Sequence, residues 1–211
     1  MTLPEKTVER LSEYRRSLDD CLEAGITHIF SHVLAGMHGI TAVQVRRDLM
    51  LIGFSSDTKK GYDVRVLSGF ISSILDSPEP AGIAVVGMGH LGQAIAKFFN
   101  SKGLKMRITA AFDIDPAKVG REFDGVPCYD MTRFEEMVAA LDINMVVLST
   151  PRDAAGDLVL PIINAGIGGV LNFTSRPLNF PRGIVVENFD ITTLLEKVAY
   201  FVKEEEQNEG F

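Results

Sequence analysis

Gly82-Ile83-Ala84-Val85-Val86-Gly87-Met88-Gly89-His90-Leu91-Gly92 decides the fold. The first five residues form a short apolar run of the kind that makes a buried strand. Residues 93–100 then continue at helical periodicity. A glycine fingerprint alone is weak, but strand before and helix after is the context that dinucleotide binding needs. Gly87 permits the tight turn, Gly89 lets a pyrophosphate approach the backbone, and Gly92 lets the helix pack on the strand. The helix N-terminus, with Met88, His90 and Leu91 around it, faces the phosphates.

Residues 107–112 read as the second strand, ending at Asp113, 21 residues beyond Gly92. An acid there bonds the adenine ribose hydroxyls. Asp115 follows and no Arg adjoins Asp113, so the pair disfavours a 2′-phosphate and NAD(H) is expected over NADP(H). A merely polar turn is the poorer account of Asp113-Ile114-Asp115-Pro116, given the whole unit. The alternation then continues. Thr132-Arg133-Phe134-Glu135 caps a helix to Leu141, and Met145-Val146-Val147-Leu148 is a strand ending at Ser149-Thr150-Pro151. A helix follows to Ala165 with Gly166 as its stop, then strands at 169–173 and 184–187, and a last helix from Ile191 to about Lys203. Ligands sit beyond the carboxyl ends of such strands. Thr150, Pro151, Asn172 and Phe173 therefore belong at the nicotinamide end, although each taken singly fits an ordinary strand-end loop.

The same cleft supplies no obvious general acid or base. His90 lies inside the glycine loop, while His28, His32 and His38 fall near the N-terminus without metal-like spacing. No catalytic residue is assigned, no metal is expected, and binding of NAD(H) without chemistry on it is the better reading.

Upstream, Ser77-Pro78-Glu79-Pro80 marks a boundary, because two prolines in three residues hold the chain extended. Before it the pattern is helical. Thr2-Leu3-Pro4-Glu5 has the form of a capping box, and Val8, Leu11, Leu18 and Leu22 follow at helical spacing to a stop at Gly25. Ser31 is expected to cap a second helix ended by Gly39. Thr41-Ala42-Val43-Gln44 opens a third that runs to about Ile52, which makes a helix-turn-helix. Val45, Leu49 and Ile52 share one face, with Arg47 nearly opposite, flanked by Val43 and Met50, and Gln44 and Arg46 on either side. Such a face suits a major-groove recognition helix. Taken alone, the helix is better explained as a solvated face with two arginines. Three additions shift the balance. Arg10, Arg15 and Arg16 crowd the first helix, within reach of phosphates. Residues 54–61 form a polar, hairpin-like stretch carrying Lys59 and Lys60. A helix over 64–75 then leads into the linker. Helix-turn-helix followed by a small ribbon is a winged helix.

The expected architecture is thus α/β: a winged helix-turn-helix domain over 1–76, a linker over 77–81, a Rossmann parallel-sheet domain over 82–188, and a C-terminal helix and tail over 189–211. Composition agrees. The 211 residues are 46% hydrophobic and 23% charged, with a formal net charge of −7. Residues 1–76 carry 9 Lys and Arg against 10 Asp and Glu; the rest carries 12 against 18. The first third is the better candidate for nucleic acid, and local clustering must carry that reading. Cys21 and Cys128 are far apart and in no CxxC pair, which points to two buried thiols rather than a disulfide or a zinc site. No apolar run reaches transmembrane length and no signal peptide is evident, so no membrane partner and a cytoplasmic location are expected.

The chain resembles the Rex family of redox-sensing transcriptional repressors over nearly its whole length. The likeness is carried by Pro4 with Arg10-Leu11 and Tyr14, Gln44-Val45-Arg46-Arg47-Asp48-Leu49, Gly61-Tyr62-Asp63-Val64, residues 86–92, and residues 111–116 with Lys118-Val119-Gly120. Leu148-Ser149-Thr150-Pro151, Val170-Leu171-Asn172-Phe173 and Asn188-Phe189-Asp190 complete it. The resemblance implies a homodimer that holds operator DNA when NAD+ dominates and leaves it when NADH binds. It also implies a last helix swapped onto the partner. On that reading Arg10, Arg16, Ser31, Gln44, Arg46, Arg47, Lys59 and Lys60 meet DNA, and Arg16 pairs with Asp190 across the dimer in one state only. The alternative for that pair is that Asp190 caps its helix and Arg16 binds phosphate. The sequence departs from the family pattern at Arg47, where Lys is usual, at Met50, where Ser is common, and at Asp57-Thr58, where the wing usually has a Lys-Arg pair. Two other functions stay in view: a small NAD-dependent oxidoreductase, and a related regulator answering to another nucleotide ligand or to coenzyme A.

Overall fold

The computed structural model describes residues 2–55, 60–77, 82–101 and 106–208. The chain divides into two compact units, Met1–Pro78 and Glu79–Phe211. Most of the expected linker lies outside the described residues.

The first unit contains α1 (Glu5–Glu23), β1 (His28–Ile29), α2 (Ser31–Met37), α3 (Ala42–Leu51), β2 (Tyr62–Asp63) and α4 (Val64–Leu75). Leu11, Tyr14, Leu18 and Cys21 recur at helical spacing on α1 and close one core with Leu34, Val45, Leu49, Leu67 and Ile71. Two local expectations fail. Pro4, extended at ψ 140°, takes the N-cap of α1 and leaves Thr2 outside, so no capping box forms. Phe30, not Ser31, is the N-cap of α2, because the chain turns helical one residue earlier than expected. The expected ribbon over 54–61 falls in part on residues outside those described; among the described residues β1 pairs antiparallel with β2, Ile29 opposite Tyr62. Ile29 brings a buried apolar side chain to that pairing. Asp57, Thr58 and Lys59 lie outside the described residues; Lys60 is exposed in the turn that follows. Thr41 does cap α3, its hydroxyl accepting the Gln44 N–H at 3.2 Å.

The second unit contains β3 (Gly82–Val86), α5 (His90–Ser101), β4 (Arg107–Asp113), β5 (Glu122–Phe123), β6 (Val126–Asp130), α6 (Phe134–Ala140), β7 (Ile143–Leu148), α7 (Val159–Asn164), β8 (Gly169–Asn172), β9 (Val185–Asn188) and α8 (Ile191–Asn208). Among the described residues the sheet order is β5-β6-β4-β3-β7-β8-β9, parallel except for β5. Its six parallel strands follow the Rossmann order 3-2-1-4-5-6. Ala84, Val86, Phe112, Val146 and Leu148 face one core with Phe134 and Ile162, while Ile83, Val85, Ala111 and Val147 face another with Ala96. Both faces are covered, as a parallel sheet requires. The Thr132-x-x-Glu135 cap does not form. Asp130 accepts the Thr132 N–H at 2.9 Å instead and opens a short 3₁₀ turn before α6.

Candidate functional site

The glycine loop lies where β3 and β7 part, the crevice at which strand order reverses. Gly87 has φ +96°, and a Cβ there would meet the Thr150 backbone nitrogen at 2.9 Å. A Cβ on Gly92 would collide with the Gly87 carbonyl. Those two glycines are demanded by the protein itself. A Cβ on Gly89 would meet nothing within 4 Å, so packing within the described residues does not require a glycine there. α5 begins at His90, three residues earlier than expected, with its N-terminus next to Gly89. The buried Thr150 hydroxyl has no hydrogen-bond partner among the described residues. Open backbone at a helix N-terminus, with an unpartnered hydroxyl on the residue beside Gly87, fits a dinucleotide.

Asp113 is only 8% exposed. It accepts the Met88 N–H at 2.7 Å, the Asp115 N–H at 2.9 Å and the Lys118 ammonium at 3.0 Å. Burial pushes its carboxyl up, but those donors outweigh it and hold the group below the usual carboxylate range. The sequence reading of two unopposed acids is therefore corrected: Lys118 bridges Asp113 and Asp115, the latter at 3.6 Å. One ammonium against two carboxylates still leaves the corner anionic.

At the other end Asn172 departs from expectation. Its amide nitrogen donates to the Arg176 carbonyl and to Asn188 Oδ1, both at 2.8 Å, and its Oδ1 accepts the Thr174 N–H and hydroxyl. All four bonding positions of that side chain are spent inside the protein. Asn172 shapes the loop after β8; it does not offer itself to a ligand. Phe173 packs on Phe189 with ring centroids 5.0 Å apart, and Pro151 is exposed beside Thr150. Asp190 accepts the Thr192 N–H at 3.0 Å, the Thr193 hydroxyl at 2.9 Å and the Ser175 hydroxyl at 3.2 Å, so it caps α8.

In the first unit α3 is clamped through Asp48, whose side chain is 0% exposed. Arg10 grips it with Nε and Nη2, each at 2.7 Å; the Tyr14 hydroxyl donates at 2.9 Å and Gln44 Nε2 at 2.9 Å. Burial raises the Asp48 carboxyl, yet these hydrogen bonds prevail and it stays below its ordinary range. Burial first, and the hydrogen bond to Asp48 second, push Tyr14 far up. The outward face of α3 carries Val43, Arg46, Arg47 and Met50, all exposed. Arg46 donates to the Ser31 hydroxyl at 3.0 Å, bringing together two of the expected DNA contacts. The expected row of phosphate-seeking arginines on α1 is corrected. Arg10 is spent on Asp48 and Arg15 on Asp76 at 2.6 Å, while Arg16 is exposed. Arg16 lies in the first unit and Asp190 in the second.

Sequence reasoning missed Asp48 as an anchor, although the signal existed. Position 48 falls on the same helical face as Val45, and a carboxylate there needs a buried partner.

Residues 2–49 match the family model described as "Putative DNA-binding protein N-terminus", and residues 78–176 match the one described as "CoA binding domain". The chain is 35% identical over 200 residues to the redox-sensing transcriptional repressor Rex of Leuconostoc citreum (strain KM20), covering 95% of this chain and 93% of that protein. It is 32% identical over 201 residues to the repressor of the same name from Listeria monocytogenes serotype 4b (strain CLIP80459), covering 95% and 94%. Among solved structures, RSP in complex with β-NAD+ and operator DNA matches with a TM-score of 0.91 at 28% identity, over 100% of this chain and 97% of that one. RSP in complex with β-NADH matches with a TM-score of 0.87 at 28% identity, over 100% and 99%.

Proposed function

Because the chain belongs to the Rex family of redox-sensing transcriptional repressors, we propose that it binds operator DNA through α3 and is released when NADH occupies the cleft beyond β3 and β7. The observations that carry this reading are the backbone at Gly89, open to 4 Å, and beside Gly87 the residue Thr150, whose buried hydroxyl has no partner among the described residues. Gly87, Met88, Gly89, His90, Leu91 and Gly92 would hold the pyrophosphate, the Asp113–Lys118–Asp115 corner the adenine ribose, and Thr150, Pro151 and Phe173 the nicotinamide. Thr, Pro and Phe supply no group that exchanges protons near neutral pH, so the cofactor is sensed rather than used, and the protein is a regulator and not an enzyme.

A homodimer completes the reading. Every described side chain of α8 is exposed, including Leu194, Leu195, Val198, Phe201 and Val202. Apolar surface of that extent needs a cover, and a second copy that exchanges this helix supplies one. A two-fold dimer then reads a palindromic operator.

The family-model description favours one second reading, a regulator that answers to coenzyme A. Calorimetric titrations separate the two. NADH should bind tighter than NAD+, because the apolar nicotinamide end favours the uncharged ring. Both should bind tighter than NADPH, because the ribose corner is net anionic. Tighter binding of coenzyme A than of NADH would replace the redox reading, and equal affinity for NADPH would remove the ribose argument.

A further inference from the structure

Gln44 occupies the first turn of α3, from which recognition helices contact base edges. Its amide nitrogen lies 2.9 Å from Asp48 Oδ1. That oxygen also accepts Arg10 Nη2, and Oδ2 accepts both Arg10 Nε and the Tyr14 hydroxyl. An ionised carboxylate only accepts, and this one is paired with an arginine that only donates. The Gln44 amide therefore cannot turn over: an oxygen facing Asp48 would set two acceptors against each other. Outward it presents its carbonyl oxygen and one remaining N–H. Among the four bases only adenine offers a matching donor and acceptor side by side in the major groove, its N6 amino group and N7. Guanine offers two acceptors, of which the second would meet the Gln44 oxygen. Cytosine and thymine each satisfy one bond at most.

We propose that Gln44 reads an adenine in each operator half-site and that Asp48, locked by Arg10 and Tyr14, is the positioning residue that sets this choice. The proposal rests on the operator-binding function given above and names a base for it. Arg10 and Tyr14, one turn apart on α1, then act on DNA recognition without touching DNA. Their contribution is to fix which edge of a glutamine amide faces outward.

Palindromic duplexes are selected by the full-length protein from a randomised pool, in NAD+, and each position of the winning site is then varied. The wild type should require adenine at one position per half-site. Replacing that base by purine, which lacks the amino group, should cost about 5- to 150-fold in affinity, the range for a bidentate base contact. Gln44→Met should be indifferent to that replacement. Asp48→Asn, checked for folding by its circular dichroism, should let the Gln44 amide turn and relax the preference at that position alone. A loss of packing would instead weaken all sites together. If Gln44→Met keeps the wild-type preference at every position, or if the Gln44-dependent base is guanine, the proposal is overturned while operator binding stands. If the wild type selects no sequence, operator binding itself falls.

Discussion

Asp48 and Asp113 are both withdrawn from water, and both stay charged because each gathers donors. Breaking such a pair is costlier than never having had it, since it strands a buried charge. Arg10→Met should therefore lower the stability of the first unit by about 3–5 kcal/mol, read by urea unfolding. Loss of less than about 1 kcal/mol, the scale of a surface pair, would mean that the Arg10–Asp48 contact is peripheral. The Asp48 carboxyl lies below its ordinary value in the folded chain. Its contribution is therefore complete above the unfolded carboxylate range, about 3.9, and is lost as pH falls through the lower folded value. The stability gap between wild type and Asp48→Asn should be constant from neutrality down to mildly acidic pH and close on further acidification; a gap that widens there would contradict the sign.

The three glycines of the loop separate in the same residue-scale terms. Gly92→Ala drives a Cβ into the Gly87 carbonyl and should destabilise by about 1–3 kcal/mol, the scale of overpacking. Gly89→Ala meets no protein atom, so thermal unfolding should be unchanged while NADH affinity falls by an order of magnitude or more. Unchanged NADH affinity in Gly89→Ala would place the pyrophosphate elsewhere. The fingerprint was legible in the sequence because spacing alone defines it. Lys118 was present in the sequence too, but its role was hidden: an i, i+3 and i, i+5 approach to two acids depends on the turn after β4, which no periodicity reports.

At the scale of elements, strands that are buried on both faces announced themselves as apolar runs, and β3, β4 and β7 were read from them. β6 was not, because Val126-Pro127-Cys128-Tyr129-Asp130 mixes a proline and an acid with its buried positions and owes its strand to pairing with β4 and β5. Likewise β1 and β2, two residues each, exist only through each other. The helix-turn-helix was legible from the Thr41 cap, the glycine stops and its apolar seam, whereas the β1–β2 pairing beside it was not read. For α3 the consequence is specific. Arg47 is exposed on the outward face, so Arg47→Ala should weaken operator binding by about 1–3 kcal/mol, blur sequence preference and leave NADH affinity unchanged. Unaltered operator affinity, measured by fluorescence anisotropy, would show that another element reads the groove.

At the scale of the molecule the regulator must let a ligand in one unit change DNA affinity at the other. Asp190 begins the helix that a second copy would cover, and its oxygens are occupied by Ser175, Thr192 and Thr193. An Arg16 of the opposite copy must compete with that cap. The pair should therefore form in one state only and couple the units by about 1–3 kcal/mol. A double-mutant cycle on Arg16→Ala and Asp190→Ala, read as the NADH concentration that frees DNA, should be non-additive by that amount. Additive effects would leave Asp190 as a helix cap and Arg16 as a phosphate contact.

The most direct test of the whole account is the anisotropy of a labelled palindromic operator held by full-length protein in saturating NAD+ and titrated with NADH. Release at NADH concentrations well below that of the NAD+ present, with no release by NADPH over the same range, is the predicted result; an operator that stays bound while calorimetry shows the cleft filled with NADH would contradict it.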